Sequence, residues 1–365
     1  GCEHYADHAV SYLRDEVIAS DASRSVVVYQ PLGTILCIMP WNFPFWQLIR
    51  AAAPAMMAGN TVVLKHASNV PQCALALEAA FQQASFPTHT FRTLMISAAQ
   101  AEQVIADRRI AAITLTGSSA AGRKVAAIAG QHLKKCVLEL GGSDPFIVLD
   151  DADIEWTAQQ ALIARLQNMG QSCIAAKRFI LQETIADSFV ERLQVLISQL
   201  RSGDPKDAAT TIAPMARMDL RNELHAQVER SLALGAKLLT GGFSIGEQGA
   251  YYAPTILDHV QPGMPAFDEE LFGPVFAIMR VGNAEEAIKL ANQTQFGLGG
   301  SVWTGDLASG EALARQIQAG CTFVNGIVKS DPRLPFGGIK DSGYGRELSY
   351  HGIREFVNIK TIWIR

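Results

Sequence analysis

No stretch of 18 or more apolar residues occurs in the 365-residue sequence, which excludes a segment built to cross a bilayer as a single helix. No C-x-x-C pair occurs either. The six cysteines, at 2, 37, 73, 136, 173 and 321, stand singly and far apart, which argues against a disulfide framework and against a zinc site. Most of them read as small buried hydrophobes of a chain kept in a reducing compartment, by default the cytoplasm. Neither sign of charge dominates: Lys and Arg number 31, Asp and Glu 35, for a formal net charge of −4, so composition gives no reason to expect a nucleic-acid or membrane-surface partner. There is no internal repeat, no low-complexity tract and no basic-then-apolar leader. The opening GCEHYADHAVSYL reads as the middle of a helix, so a preceding N-terminal segment is expected.

What is present is apolar content sufficient for a large core, 48% of the chain, at a length that suits two domains. Short β-branched runs (25–30, 60–65, 111–117, 136–140, 146–149 and 178–182) alternate with helical patterns at 45–58, 70–84, 119–130, 153–168 and 185–200. A second block follows: a strand at 274–281, a helix at 284–293, a strand at 301–304, a helix at 307–318 and a strand at 322–325. Strand and helix in alternation predict an α/β fold with two parallel-sheet domains and right-handed crossovers. The break is expected near Gly141-Gly142. The closing NIKTIWIR alternates like a strand that needs a partner edge, which SVVVYQ–TILCIM could supply within the subunit or across a dimer.

Six stretches carry candidate chemistry. In GQSC (170–173) a glycine close before Cys173 lets the backbone present the thiol, although a buried structural cysteine would read the same way. In ELGGSDP (139–145) Glu139 sits inside an apolar run: it is either a strand-end residue facing solvent or a general base with a raised pKa. In PWNFPFWQ (40–47) Asn42 is the one amide among aromatics, either part of a rigid core turn or a donor to a developing oxyanion. LTGSSAAG (115–122) is a strand-to-helix turn whose free N–H groups suit a phosphate, without being a G-x-G-x-x-G fingerprint. EELFGPV (269–275) and the glycine-dense LPFGGIKDSGYGRE (334–347) complete the set; the latter must bend sharply and admit a close neighbour.

These stretches, in this order and spacing, resemble the aldehyde dehydrogenase superfamily from about residue 25 to 365. The N-terminal segment usual there has no counterpart. The resemblance implies a Rossmann-like cofactor domain over 1–141, with 13–31 contributing to a small β oligomerisation element. It implies a catalytic domain over 142–345, and a C-terminal helix and oligomerisation strand over 346–365. It implies Cys173 as nucleophile, Asn42 and the Cys173 backbone N–H as oxyanion hole, and Glu139 as general base. For NAD or NADP it implies Lys65 and Glu270 at the ribose hydroxyls, Phe272 by the nicotinamide, and Gly117, Ser118 and Gly122 at the pyrophosphate. Pro40, Trp41 and Leu140 line the same cofactor site, and the subunits form a homodimer or homotetramer.

Ser68 stands three residues after Lys65, where NAD-preferring members often carry Glu; a small neutral residue leaves room for a 2′-phosphate. The neighbouring His66 reads as a solvent-facing loop residue. Arg50, eight residues after Asn42, occupies a position that is often aromatic in members acting on neutral aldehydes. It suits a substrate with its own carboxylate, the alternative being a surface Arg. Ser330 matches a carboxylate-binding serine of the succinate-semialdehyde branch. The Arg common there six residues before the nucleophile is Gln167 here, with Arg165 two residues earlier as a substitute candidate. The expected substrate is therefore succinate semialdehyde. Alternatives are another semialdehyde or neutral aldehyde, a CoA-acylating reaction, or an impaired relative.

Overall fold

The computed structural model describes residues 1–365. In chain order the strands are β1 (Glu16–Val17), β2 (Arg24–Pro31), β3 (Thr34–Met39), β4 (Thr61–His66), β5 (Phe91–Thr93), β6 (Ile110–Thr116), β7 (Lys135–Glu139), β8 (Pro145–Val148), β9 (Arg178–Gln182), β10 (Lys237–Thr240), β11 (Thr255–Asp258), β12 (Val275–Val281), β13 (Gly299–Trp303), β14 (Cys321–Val324), β15 (Gly343–Tyr344) and β16 (Val357–Ile364). The helices are α1 (Cys2–Tyr12), α2 (Trp46–Met57), α3 (Pro71–Gln83), α4 (Ala98–Ala106), α5 (Ser119–Gln131), α6 (Ile154–Leu166), α7 (Glu183–Ser198), α8 (Met218–Ala233), α9 (Pro265–Asp268), α10 (Ala284–Asn292), α11 (Leu307–Ala314) and α12 (Ser349–Arg354). None is long and apolar enough to cross a membrane.

The chain divides into two compact units. The first comprises 1–140, 330–338 and 342–365; the second comprises 141–329 and 339–341. The expected second domain running unbroken to 345 is thus corrected. Residues 330–338 and 342–345 belong with the first unit: Gly343 and Tyr344 pair antiparallel with Glu139 and Leu138 at the edge of its sheet, and Phe336 pairs with Glu347.

The first unit holds a six-stranded sheet in the order β15-β7-β6-β3-β4-β5, parallel apart from β15. Its strands are β-branched and apolar because helices cover both faces of a parallel sheet. Ile35, Cys37, Val62 and Leu64 pack with Leu48, Ala52 and Ala55 of α2 and with Ala74 and Leu77 of α3; Leu36, Ile113, Leu115 and Leu138 pack with Ile105 of α4 and with Val125 and Ala129 of α5. A second, three-stranded sheet, β1-β2-β16, is antiparallel; the closing strand pairs within its own chain, Val357 opposite Pro31 through to Ile364 opposite Arg24.

The second unit holds a seven-stranded sheet in the order β10-β11-β12-β9-β8-β13-β14, parallel apart from β10. Phe146 stacks on Trp303 at 4.8 Å between ring centroids and meets Phe179, which meets Phe276, forming an aromatic spine across four adjacent strands. Helix α6 starts on Asp153, whose carboxylate accepts from the Trp156 N–H. It ends at Leu166, two residues earlier than the apolar pattern suggests. Asn168 and Met169 take left-handed backbone angles, φ 52° and 54°, that no right-handed helix can continue.

Candidate active site

In the first unit the chain fills its sheet from β3 to β4 and β5, then returns to β6 and β7 on the other side of β3, so strand order reverses between β3 and β6. Ligands of open α/β sheets bind outside the carboxyl ends of the strands at such a reversal. Every first-unit candidate named for the cofactor or the chemistry follows that rule. β3 runs out into Pro40, Trp41 and Asn42; β6 runs out into Gly117 and Ser118; β4 ends on Lys65 and His66 with Ser68 just beyond; β7 ends on Glu139 with Leu140 just beyond. Helix α5 begins after Ser118, whose hydroxyl accepts from the Ala121 N–H at 3.3 Å, and its first turn carries no acidic residue. Gly122 is buried against Leu140, so the helix start lies close to the end of β7. A partly exposed helix N-terminus free of acidic side chains, at a strand-order reversal, fits the pyrophosphate of a dinucleotide.

Glu139 is 2% exposed, and neither carboxylate oxygen has a hydrogen-bond partner. The solvent-facing alternative is thereby removed. Burial pushes its carboxyl well above the usual range and the neighbouring Glu347 adds to the push, while Arg50 and Arg346 pull it back. Gly337, at φ 152°, makes the space for this side chain: a Cβ there would lie 2.6 Å from Glu139 Oε1.

Arg50 is buried as well, at 4% exposure, so it is no surface residue. Its Nε donates to Glu347, and its guanidinium lies 4.5 Å from the Phe336 ring centroid. Glu347 also accepts from Thr114, and its backbone pairs both ways with Phe336 at 2.7 Å. The glycine-dense loop therefore delivers a second buried carboxylate, Glu347, which was present in the quoted motif but not singled out. One turn before Arg50 on α2, Trp46 donates its indole N–H to Ser330 Oγ at 2.8 Å.

His66 corrects its expectation. It is 6% exposed: its Nδ1 accepts from the Ala67 N–H at 2.9 Å and its Nε2 lies 3.0 Å from the Pro44 carbonyl. Those partners require a neutral ring carrying its proton on Nε2, and burial holds its pKa below the ordinary value. A strand-end histidine with both nitrogens engaged ties the PWNFP turn, and with it Asn42, to β4.

The second-unit candidates gather at the opposite pole of a sheet, the amino ends of its strands. Cys173 lies in the turn before β9, Glu270 and Phe272 precede β12, and Asp144 precedes β8. The Cys173 turn follows three successive left-handed residues, Asn168, Met169 and Gly170, the last at φ 74°. Gly170 is required there, since a Cβ would sit 2.3 Å from the Gly273 carbonyl oxygen. Gln171 Nε2 donates to Asn168 O at 3.0 Å, and its Oε1 accepts from Ala216 N. Glu270 Oε1 accepts from the Gly142 N–H at 3.0 Å and stands 3.7 Å from the Lys177 ammonium. Burial raises Glu270 above the usual carboxylate range, and it pushes Asp144 up to about 6.

Arg165 cannot serve as a substitute substrate ligand. It is fully buried, on the inward face of α6, where it donates to the carbonyls of Gly170 (2.7 Å), Ala176 (2.9 Å) and Leu271 (3.1 Å). The expected clamp role is corrected to a structural one; Gln167, past the helix end, is exposed. Lys177 and Asp144 lie among these second-unit residues and escaped the sequence reading. The signal for each was an ionisable residue inside an apolar run, IAAKRFI and SDPFIVL.

The aldehyde dehydrogenase family profile matches residues 1–362. The chain belongs to the aldehyde dehydrogenase family. Among the relatives of this dehydrogenase, the probable succinate-semialdehyde dehydrogenase [NADP(+)] of Synechocystis sp. is 54% identical over 363 residues, covering all of this chain and 80% of that protein. Succinate semialdehyde dehydrogenase [NAD(P)+] Sad of Escherichia coli is 49% identical, covering 99% of this chain and 78% of that protein. The crystal structure of succinic semialdehyde dehydrogenase from Streptococcus pyogenes with NADP+ superposes at a TM-score of 0.97 with 40% identity, over 99% of this chain and 80% of that one.

Proposed function

We propose that this aldehyde dehydrogenase oxidises succinate semialdehyde to succinate with NAD or NADP, through a thioester on Cys173. The observation that carries the substrate reading is the anchoring of Ser330 by Trp46, one turn before Arg50 on α2. The Trp46 N–H occupies one lone pair of Ser330 Oγ, which leaves the hydroxyl proton to donate outward. Arg50, one turn along the same helix, is already buried in its ion pair with Glu347, so in this reading it adds positive charge behind the site and the Ser330 hydroxyl makes the direct contact. The names carried by the Synechocystis, Escherichia coli and Streptococcus pyogenes relatives support the same substrate and the same cofactors.

In this reading the Cys173 thiolate adds to the aldehyde carbon, and the Asn42 amide with the Cys173 backbone N–H donates to the oxyanion. Such preorganised donors are worth roughly 3–4 kcal/mol each. The bound dinucleotide supplies the acceptor for the hydride that leaves the thiohemiacetal. Glu139, once ionised, takes a proton from the water that hydrolyses the thioester; its unpartnered, buried carboxylate suits a base of raised pKa. Lys65 and Glu270 would hold the ribose hydroxyls, Phe272 would stand by the nicotinamide, Gly117, Ser118 and Gly122 would take the pyrophosphate, Pro40, Trp41 and Leu140 would complete the wall, and Ser68 would leave room for a 2′-phosphate. The test is the rate of NAD(P)H formation with succinate semialdehyde and with butanal. A kcat/KM clearly higher for the acidic aldehyde is expected, and equal values would overturn the substrate assignment.

The same reading makes the chain a subunit of a cytoplasmic homodimer or homotetramer. None of the six cysteines forms a disulfide, which fits a reducing compartment. The β1-β2-β16 sheet leaves Val17, Ile18, Ile359, Ile362 and Trp363 exposed, an apolar surface suited to a second copy. Sedimentation at micromolar concentration tests this, with a species of one chain mass as the contrary result.

A further inference from the structure

Lys177 is the one fully buried lysine of the second unit, and its surroundings are unusual. Its ammonium donates to three backbone carbonyls of a single turn, those of Ser172 (3.1 Å), Cys173 (2.8 Å) and Ala175 (3.1 Å). The same Nζ stands 3.7 Å from Glu270 Oε1. A lysine buried to 1% side-chain exposure is costly unless its charge is compensated. Carbonyls compensate it only as dipoles, and Glu270 is an ion-pair partner at the long end of the range.

The charged groups facing this pocket leave an imbalance. Lys177 feels Glu270, Arg165, Asp144 and Cys173; Arg178, next in sequence, feels Asp144 and the exposed Asp268. Three buried cations, Lys177, Arg165 and Arg178, therefore face one buried carboxylate, Asp144, and one partly exposed carboxylate, Glu270. Burial pushes both carboxylates up and the Lys177 ammonium down alike, so each charge depends on the others that face it. Cys173, four residues before Lys177 and on the turn that Lys177 holds, also faces the ammonium.

We propose that Lys177 is the positioning residue of the nucleophile: its buried ammonium fastens the Cys173 turn and provides the counter-charge for the Cys173 thiolate, a charge that Glu270 competes for in the free protein. This rests on Cys173 being the nucleophile. Its consequence is that any event drawing Glu270 away from Lys177 leaves the lysine charge to the thiolate. The proton lost from the thiol goes to solvent, and no other group changes its bonding.

The test is the pH dependence of iodoacetamide alkylation at Cys173, read by peptide mass spectrometry on the full chain without cofactor. Lys177→Met is expected to move the profile to higher pH, by about one pH unit or tenfold less thiolate at a fixed pH on the rising limb, while Lys177→Arg restores most of it. Glu270→Gln is expected to move the profile the other way, to lower pH. Opposite displacements by two variants of one pocket are not what a loss of packing produces. Glu270→Gln also keeps the test decisive if Lys177→Met fails to fold. Profiles of Glu270→Gln that coincide with the parent, or shift upward, overturn the proposal. Failure of the underlying reading looks different: Cys173→Ser would then retain NAD(P)H formation, whereas an inactive Cys173→Ser with unmoved alkylation profiles defeats the Lys177 assignment alone.

Discussion

Arg50 and Glu347, 297 positions apart in sequence, form a buried ion pair inside the first unit, with Phe336 against the guanidinium. Removing one partner of such a pair strands the other charge, at a cost of about 3–5 kcal/mol. Arg50→Met is therefore expected to lower thermal stability as well as activity, and Arg50→Met with Glu347→Gln is expected to recover most of the stability. If Arg50 also binds the substrate carboxylate, the double variant stays defective with succinate semialdehyde and not with butanal. Ser330→Ala gives the same discrimination with little structural disturbance: KM for the acidic aldehyde rises about tenfold, the worth of one hydrogen bond to a charged group. Equal effects on both aldehydes would assign Arg50 and Ser330 to structure alone.

Glu139 gives a prediction whose sign depends on its burial. Its folded pKa lies above the unfolded value, so the fold is penalised as pH rises through the folded pKa and the carboxylate ionises without a hydrogen bond. Glu139→Gln removes that penalty. The variant is expected to lose about 10²–10⁴-fold in kcat as a lost general base. It should also unfold at a higher temperature than the parent at alkaline pH, with the difference shrinking toward acid. Calorimetry at several pH values checks it; a variant less stable at alkaline pH would show that Glu139 is held ionised by partners.

His66 acts in the opposite direction. Its folded pKa is depressed, so its contribution is present above the ordinary histidine value and is lost as pH falls through the folded one, when protonation removes the acceptor for the Ala67 N–H. His66→Leu is expected to destabilise by about 1–3 kcal/mol at neutral pH through the stranded Pro44 carbonyl and Ala67 N–H. It should also flatten the acid limb of a plot of unfolding midpoint against pH. An unchanged acid limb would mean that another group sets it.

Ser68→Glu places a carboxylate at the exposed position just beyond β4. It is expected to raise KM for NADP strongly, since like charges at contact repel by several kcal/mol, and to leave NAD oxidation of the same aldehyde close to the parent. Parallel KM measurements with both cofactors check this, and a matched change in both would remove Ser68 from the cofactor site.

The parallel-sheet architecture was legible because its strands are β-branched apolar runs separated by helical patterns, and because turn glycines stand where strands end. Asn42, Gly117 and Glu139 were legible for the same reason: each follows or closes such a run. What lay beyond reach depends on contacts between distant residues. Nothing local distinguishes Arg50 as the partner of Glu347, or Trp46 as the donor to Ser330, and the return of residues 330–338 to the first unit goes with the pairing of Phe336 and Glu347 and the Trp46–Ser330 bond. Helix α8 was passed over because its apolar stripe is narrow, with only Leu224 and Val228 among its large apolar residues buried. Arg165 was misassigned because spacing from the nucleophile cannot tell the inward from the outward side of a helix that ends in a left-handed turn. His66 was misread because exposure beside a strand end depends on what the next turn packs against it.

The central claim is that Cys173 carries the acyl group of an oxidised aldehyde. The most direct measurement is peptide mass spectrometry of Glu139→Gln after reaction with succinate semialdehyde and NADP. A succinyl adduct on the peptide containing Cys173 is predicted, with NADPH released in an amount matching the adduct. NADPH formation with Cys173 unmodified, or no reaction at Cys173 while another residue is acylated, would contradict the account.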